Sequence, residues 1–449
     1  MSVVEKSSEL AAQSVWPVDR IKDHVWKIGS GVTPSGGAAS YLDVGVPLLR
    51  SQNVHFSGLR LDDVAYIADE THDEMSGSKL RARDVLLNIT GASIGRCTFV
   101  PDNFGEGNVN QHVCIIRPTA RLDHKFLTYC LSAPWGQDQV FSSFTGASRQ
   151  GLGQRDLGAI QVPLPSLPEQ QRIAAYLDAS CAAIDAAVVA KRRQLDTLAE
   201  LRNSIISRAV THGLNPQAKL KFFGLDWLSE VPTHWQVQQI KRVCSLVRGQ
   251  FSHRPRNDPA FYDGPYPFVQ TGDITAAGKY IRTYSQTLNE LGLSVSKRFP
   301  QGTLVMSIAA NIGDVAILDF EACFPDSMIG MIPGHKTNLD FLYYLMRAMR
   351  GIMLRSAVQS TQLNLNYVRI GTNFAPFPPL KEQTAIAEYL DAKERESHLI
   401  SNTIETQIAT LTTYRKSLIH ECVTGQRRVT ELDLAWVGRG ESLSSRPSR

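Results

Sequence analysis

The chain repeats itself at a distance of 213 residues. Leu167-Pro-Glu-Gln-Gln-Arg-Ile-Ala-Ala-Tyr-Leu-Asp178 returns as Leu380-Lys-Glu-Gln-Thr-Ala-Ile-Ala-Glu-Tyr-Leu-Asp391, identical at 8 of 12 positions. The same offset carries Pro163 and Pro165 onto Pro376 and Pro378, Thr197-Leu198 onto Thr410-Leu411, Arg202 onto Arg415, Ser204 onto Ser417, and Val210-Thr211 onto Val423-Thr424. One offset that accounts for so many matches over about 50 residues is an internal duplication. A chain of two like halves can present two like surfaces to a partner that is itself two-fold.

Each half reads as a globular block followed by a long helix. The first block, 16–165, holds short apolar runs broken by Gly, Pro and Asn, such as Asp84-Val-Leu-Leu-Asn88 and Val113-Cys-Ile-Ile116. That pattern predicts a β-rich α/β domain with several loops. The second block, 235–378, repeats the order: Leu87-Asn-Ile-Thr-Gly-Ala-Ser-Ile-Gly95 matches Val305-Met-Ser-Ile-Ala-Ala-Asn-Ile-Gly313. Between such islands the blocks diverge, so the frames are alike and the loops differ. Residues 213–234, with Pro216, Pro232 and His234-Trp235, form a connector, and the tail 430–449 has a disorder-like composition.

The helices are predicted over 166–212 and 379–429. Ser166-Leu-Pro-Glu169 reads as a capping box. From Leu177 the positions Cys181, Ile184, Val188, Lys191, Leu195, Leu198, Arg202, Ile205 and Ala209 step by alternating fours and threes, a heptad seam. In the second copy the seam runs Leu390, Glu394, Ser397, Ser401, Ile404, Ile408, Leu411, Arg415, Leu418, Cys422, polar at first and apolar afterwards. Some 44 residues of helix would span about 66 Å at 1.5 Å per residue. A long helix with so narrow an apolar stripe must pair. An antiparallel coiled coil of the two copies is the first reading, and a helix buried in a globular core is the other. The fold class expected is α/β: two β-rich domains, each followed by a long helix, the helices pairing antiparallel with pseudo-two-fold symmetry.

No run of about 18 apolar residues occurs and the first residues lack a basic-then-apolar leader, so neither a membrane span nor export is expected. Seven scattered cysteines without a Cys-x-x-Cys fit a reducing cytoplasm and argue against a zinc site. The net charge of +4 is mild, but residues 241–300 hold nine Lys/Arg against four acids. Such an excess suits a phosphate backbone, or is simply a solvated basic surface.

Catalytic patterns are missing. Gly272-Asp-Ile-Thr-Ala-Ala-Gly278-Lys279-Tyr280 glances at a phosphate loop, but the spacing is one residue too long and Tyr280 replaces the Mg²⁺-holding hydroxyl. Pro325-Asp326 and Asp391-Ala-Lys393 lie 65 residues apart and make a poor nuclease set. No Asn/Asp-Pro-Pro-aromatic motif of an amino-methyltransferase appears, and the 11 histidines form no metal-ligand pairing. The chain reads as non-catalytic, with no cofactor or metal of its own.

Recognition-type residues are better supplied. Val247-Arg-Gly-Gln-Phe-Ser-His-Arg-Pro-Arg256 offers Arg248, Gln250, His253, Arg254 and Arg256; Arg and Gln can read base edges with two hydrogen bonds. Gln270, Thr271, Asn311, Gln359, Thr361 and Gln362 accompany them. In the first half the equivalent loop, Gly29–Gly37, is uncharged, and Arg50, Gln52, Asn53, Thr90, Ser93, Asn110, Gln111, Ser148, Arg149 and Gln150 supply the polar face. Each could instead stabilise a turn; the functional reading rests on their clustering.

The order of variable domain, Leu-Pro-Glu-Gln-x-x-Ile-Ala-x-Tyr-Leu-Asp helix, variable domain and repeated helix resembles the specificity subunit of type I restriction-modification systems. Val231-Pro-Thr-His-Trp235 and Gly91-Ala-Ser-Ile-Gly95 are similar to family hallmarks, and the likeness covers roughly 16–429. The resemblance implies two target-recognition domains, each reading one half of a split double-stranded DNA sequence, with the helices as a ruler between them; half-sites one turn apart lie roughly 34 Å apart. It also implies two methyltransferase subunits docked on the helices, and restriction subunits. S-adenosylmethionine, ATP and Mg would sit on those partners. Leu177, Ile184, Val188, Leu195, Leu198, Arg202, Leu390, Ile404, Ile408, Leu411 and Arg415 are the pairing and docking candidates. Two rivals remain at this point: a coiled-coil scaffold for proteins, and an enzyme with a cryptic nuclease or methylase centre.

Overall fold

The computed structural model describes residues 14–144, 151–225, 227–309, 311–358 and 367–437. The two long helices run over Leu167–His212 (α3) and Leu380–Thr424 (α6), with Pro134–Phe144 (α2) and Arg350–Val358 (α5) among the shorter ones. The chain forms two compact units, 1–191 with 406–449, and 192–405. Each unit thus takes one block, the start of the long helix that follows it, and the end of the other long helix.

In the first unit β2 (Val25–Ser30), β5 (Val85–Asn88), β6 (Cys97–Phe99) and β8 (Val113–Pro118) form an antiparallel sheet in the order β2-β8-β5-β6. Val85–Asn88 and Val113–Ile116 are buried throughout, because both faces of this sheet are covered. Successive side chains point to opposite faces. Val85, Leu87, Cys114 and Ile116 pack with helix α1 (His124–Ser132) and α3. Leu86, Val113 and Ile115 pack with the second sheet, β4-β3-β7 (Ala65–Ile67, Val46–Leu49, Asn108–Val109). A short pair, β1 (Val18–Arg20) with β9 (Gln161–Pro163), ties the block's two ends together.

The second unit repeats these layers. Its central sheet has the order β13-β21-β18-β19-β15 (Cys244–Arg248, Met328–Pro333, Leu304–Ser307, Val315–Leu318, Tyr280–Ile281). Leu304, Met306, Ile329 and Met331 face α4 (Leu339–Ala348) and the long helices, whereas Val305, Ala316, Leu318 and Met328 face the other way. The outer sheet is β16-β14-β20-β17 (Gln286–Leu288, Tyr262–Phe268, Ala322–Cys323, Arg298–Phe299). The end-tying pair is β12 (Gln236–Gln239) with β22 (Phe374–Phe377). The connector is a hairpin, β10 (Leu220–Leu225) with β11 (Leu228–Pro232).

The repeated motif bolts each long helix to its own block. Gln170 is buried; its amide accepts from Asp123 N at 2.8 Å and donates to Arg121 O and Pro165 O at 3.1 and 3.0 Å. Gln383 does the same with Asn338 N, Lys336 O and Pro378 O at 2.8, 3.1 and 2.8 Å. Asp178 accepts from Lys125 and Tyr129 at 2.7 and 2.8 Å, and Asp391 from Lys279 and Tyr344, both at 2.6 Å. Burial and the adjoining carboxylate push the Tyr129 and Tyr344 hydroxyls far above the usual phenol range, so both stay donors. Glu169, expected to complete a capping box with Ser166, instead ion-pairs with Arg172.

In the first unit Tyr176, Leu177, Cys181 and Ile184 share a core with Leu418, Ile419, Cys422 and Val423. In the second, Ile206, Ala209 and Val210 share one with Ile386, Ala387 and Leu390. Start lies against end in both units, so the helices pair antiparallel. Every seam position from Leu177 to Ala209 and from Leu390 to Cys422 is buried or half-buried. Arg415 reaches Asp185 at 3.1 Å, and Arg202 reaches Glu394 at 3.7 Å. Both helices end on a glycine in the left-handed region, Gly213 (φ +74) against Trp235 and Gly425 (φ +81) against Trp16, where a Cβ would crowd the indole.

One helix needs placing and one expectation needs correction. Asp178 and Asp185 interrupt α3, yet an 18-residue window of it has a mean hydropathy of 1.6, long and apolar enough by composition to cross a membrane. Its apolar side chains Ile173, Leu177 and Ile184 are spent on the first unit's core. The tail is not featureless either: Glu431–Val437 is a helix (α7), started by Thr430 N–H on Asp433 and held by Arg172 on Glu431 at 2.8 Å, with Leu434 and Val437 on the core.

Candidate nucleic-acid interface

At one end of each central sheet three loops converge, because β2 and β5 end there and β8 begins. In the first unit the chain leaving β2 passes so close to the strand before β8 that a Cβ on Gly31 would lie 1.7 Å from Val109 O. Only glycine fits. A run of four side chains crosses the loops: Thr33 donates to Gln111, Gln111 Nε2 meets His112 Nε2 at 3.1 Å, and His112 Nδ1 meets Thr90 Oγ1 at 2.6 Å. None of the four is buried. Beneath them Asn88, fully buried, donates to Ser51 O at 2.7 Å and Ser93 Oγ at 3.1 Å, joining the Arg50–Asn53 turn to the loop after β5.

The same sheet end in the second unit is ionic. Gly249 sits where Gly31 does; its Cβ would lie 2.3 Å from Pro325 O. Asp326 occupies the place of Gln111, two residues before the next strand. Arg256 Nη2 pairs with Asp326 Oδ1, Arg254 Nη2 lies 3.6 Å from Oδ2, and Arg248 Nε donates to the Asp326 carbonyl at 2.8 Å. Arg254 Nη1 also donates to Phe251 O and His253 O at 2.7 and 2.8 Å. His253 stacks on Phe261 at 3.9 Å and meets Asp258 at 3.2 Å. Gln250 is exposed.

The structure sorts the remaining candidates. Arg50 and Gln52 both bind Asp63, and Arg50 also lies over the Tyr41 ring at 5.7 Å. Asn53 and Asn110 are buried at 1% and 6% exposure and hold loops: Asn53 donates to Arg60 O and Asp63 O, and Asn110 accepts from His112 N. The Asn53 amide is spent below the surface, and the Asn110 side-chain oxygen braces its own loop. Gln270 donates to Gln286 at 2.9 Å, Thr271 is half-buried with its carbonyl on Thr275, and Asn311 donates to Thr275, which in turn donates to Asp314. Ser148, Arg149, Gln150, Gln359, Thr361 and Gln362 lie outside the described residues.

Of the pairing candidates, Leu177, Ile184, Leu390 and Ile404 are buried. Val188, Leu195, Leu198, Arg202, Ile408, Leu411 and Arg415 are half-buried.

The basic stretch 241–300 is less of a free footprint than its composition suggests. Lys279 is shared by Asp340 and Asp391 at 2.8 and 2.6 Å, Arg282 meets Asp319 at 3.3 Å, and Arg298 meets Glu321 at 3.1 Å. Those acids come from outside the stretch, and a one-dimensional count misses them. Thr33, Asn88, His112 and Asp326 are the site residues that were not among the sequence candidates. Strand pairing, with Val113 opposite Asn88 and Met328 opposite Ser307, sets Asp326 against Gln111 and Asn88 against Ser307; the match of Leu87–Gly95 with Val305–Gly313 sets Asn88 against Met306 instead and hides the equivalence. Among the described residues no cluster of three or more His, Cys, Asp or Glu could hold a metal ion.

The two sheet ends keep one frame and change the side chains exposed there, the arrangement of a duplicated domain with divergent loops. A profile of the type I restriction modification DNA specificity domain matches residues 71–190 and 232–410, and the chain belongs to that family. It is 23% identical over 397 residues, 84% of its own length and 86% of the other's, to a Methanocaldococcus jannaschii protein assigned as the type I restriction enzyme MjaX specificity subunit. Its fold is similar to that of a chain in a structure described as the basis of complex assembly and conformational transition of the type I R-M system. There the TM-score is 0.72 at 17% identity, over 92% of this chain and 98% of that one. It is also similar to the crystal structure of the HsdS subunit from Thermoanaerobacter tengcongensis, with TM-score 0.54 at 16% identity over 92% and 97% of the two chains.

Proposed function

We propose that this chain reads a bipartite sequence in double-stranded DNA as the specificity subunit of a type I restriction-modification complex, one half through each unit. The observation that carries the reading is the pair of equivalent sheet ends, neutral around Gln111 and ionic around Asp326. Equal frames with unequal chemistry suit two half-sites of different sequence; one repeated side-chain set would suit a palindrome instead. The chain contributes recognition and no catalytic step. Adenine methylation and ATP-dependent cleavage belong to two methyltransferase subunits and to restriction subunits, which carry S-adenosylmethionine, ATP and Mg. The helix pair supplies their dock, and the complex works in the cytoplasm.

The test is base-modification sequencing of host DNA after co-expression of this chain with the methyltransferase encoded beside it. A single methyladenine motif in two parts with a fixed gap is expected. An unmodified genome, with the complex formed and the methyltransferase active, would refute the reading.

A further inference from the structure

The cluster on Asp326 is built for more than stability. Arg254 and Arg256 are about half exposed and their carboxylate is 30% exposed, and pairs in such positions add little to folding. Yet two guanidiniums meet one carboxylate, and a third, from Arg248, fixes that residue's backbone. The loop is closed from its own side too: the Tyr262 hydroxyl donates to Arg256 O, and Arg254 spends Nη1 on two carbonyls of the loop. What stays open is the outer edge of Arg256, whose Nε and Nη1 have no partner among the described residues.

We propose that Asp326 is the positioning residue for base readout in the second unit: it aims Arg256, backed by Arg254, so that the open guanidinium edge takes the O6/N7 edge of a guanine in duplex DNA. The inference rests on the DNA-reading function proposed above and adds the residue and the base class. An unpinned arginine on a loop seeks phosphate, the strongest anion within reach. A carboxylate on the same guanidiniums works against a fully charged phosphate partner far more than against a neutral base edge. A held fork also meets two acceptors at fixed geometry with less freedom left to lose. The first unit places neutral Gln111 at the same register, holding Thr33 as Asp326 holds the arginines. The hub is therefore a shared device, and its charge selects the reader.

The experiment uses the full chain with its methyltransferase partner, comparing wild type with D326N, D326S, R256A and the D326N/R256A double variant by base-modification sequencing. Thermal unfolding checks that each variant is folded. Wild type calibrates the test: without a two-part motif there, the proposed function itself fails and nothing is learned of Asp326. With that motif in hand, D326N and D326S should relax one G·C position in one half by roughly tenfold or more and leave the other half intact. R256A should relax the same position, and the double variant should add nothing further. Unchanged discrimination in folded D326N would overturn the proposal. So would an even change in methylation across all sites, which is the signature of phosphate contact.

Discussion

Removing the Gln383 bolt should destabilise the second unit by about 3 kcal/mol. Gln383 is 2% exposed and makes three hydrogen bonds, one to the N–H that opens α4 and two to carbonyls on either side of the block–helix junction. A Gln→Ala change loses all three, each worth about 1 kcal/mol net, and strands one backbone N–H and two carbonyls away from water, which sets the upper end near 5 kcal/mol. For a unit of roughly 200 residues, 3 kcal/mol lowers the melting temperature by about 6–12 °C. The local consequence is sharper than the global one. Hydrogen exchange by mass spectrometry should show the first turn of α4 and the strand Phe374–Phe377 opening in Q383A, with peptides of the first unit unchanged. Q170A should give the mirror result at α1, at nearly equal cost, because its three distances match those of Gln383 within a few tenths of an ångström. A loss under 1 kcal/mol in both variants, or protection lost evenly over both units, would refute the idea that the repeated glutamine locks helix to block.

Leu198→Lys should cost about 2 kcal/mol, since it carries a charge into the half-buried groove that Leu198 shares with Ile205 and Leu390, whereas Leu399→Lys, at a position 70% exposed, should cost nothing measurable in urea titration. Burial holds His124 and His420 below the usual histidine range. The unfolded chain therefore binds protons more readily than the folded one, and stability falls as pH drops below about 6.5. An H124Q/H420Q variant should lose less than wild type between pH 7.5 and 5.5, and an identical loss would refute the assignment.

The repeat was legible because it is written in apolar spacing and in one motif, and both survive drift. The seam from Leu177 to Ala209 follows from heptad arithmetic alone, and packing makes that stripe the least exposed side of the helix. The order of blocks and helices was legible for the same reason. Polar side chains were harder to place, because an Asn in a loop can face either way. Asn53 and Asn110 have the composition of readers and the burial of braces, and only the course of the turns at Arg60–Asp63 and Leu49 decides it. Capping logic failed at Glu169 because Arg172, one turn on, outbids a backbone N–H for the carboxylate. The short helix at Glu431 was hidden by its neighbours: averaged over 430–449, Leu434 and Val437 vanish among Ser, Arg and Gly.

Lys279 shows how divergence is absorbed when the frame must stay. In the first unit the second residue of α1, Lys125, supplies the cation for the motif carboxylate Asp178. The equivalent residue of α4 is Asp340, of opposite sign, and it faces Asp391. Two carboxylates at that junction repel, so the cation has to come from elsewhere. It comes from Lys279, at the edge of the central sheet, within 5.2–5.8 Å of the Tyr280, Tyr343 and Tyr344 rings. This is why Gly278-Lys279-Tyr280 glances at a phosphate loop without being one: the lysine is turned inward onto two acids. K279M should therefore destabilise the second unit by about 2 kcal/mol, less than a fully buried pair would give, because both acids keep about a third of their exposure. Adding D340K to K279M recreates the first unit's arrangement and should recover at least half of that loss, short of all of it because the Tyr280 hydrogen bond to Asp340 is gone. A double variant no more stable than K279M would mean that the two junctions are not interchangeable, and that the likeness of the two units stops at their backbones.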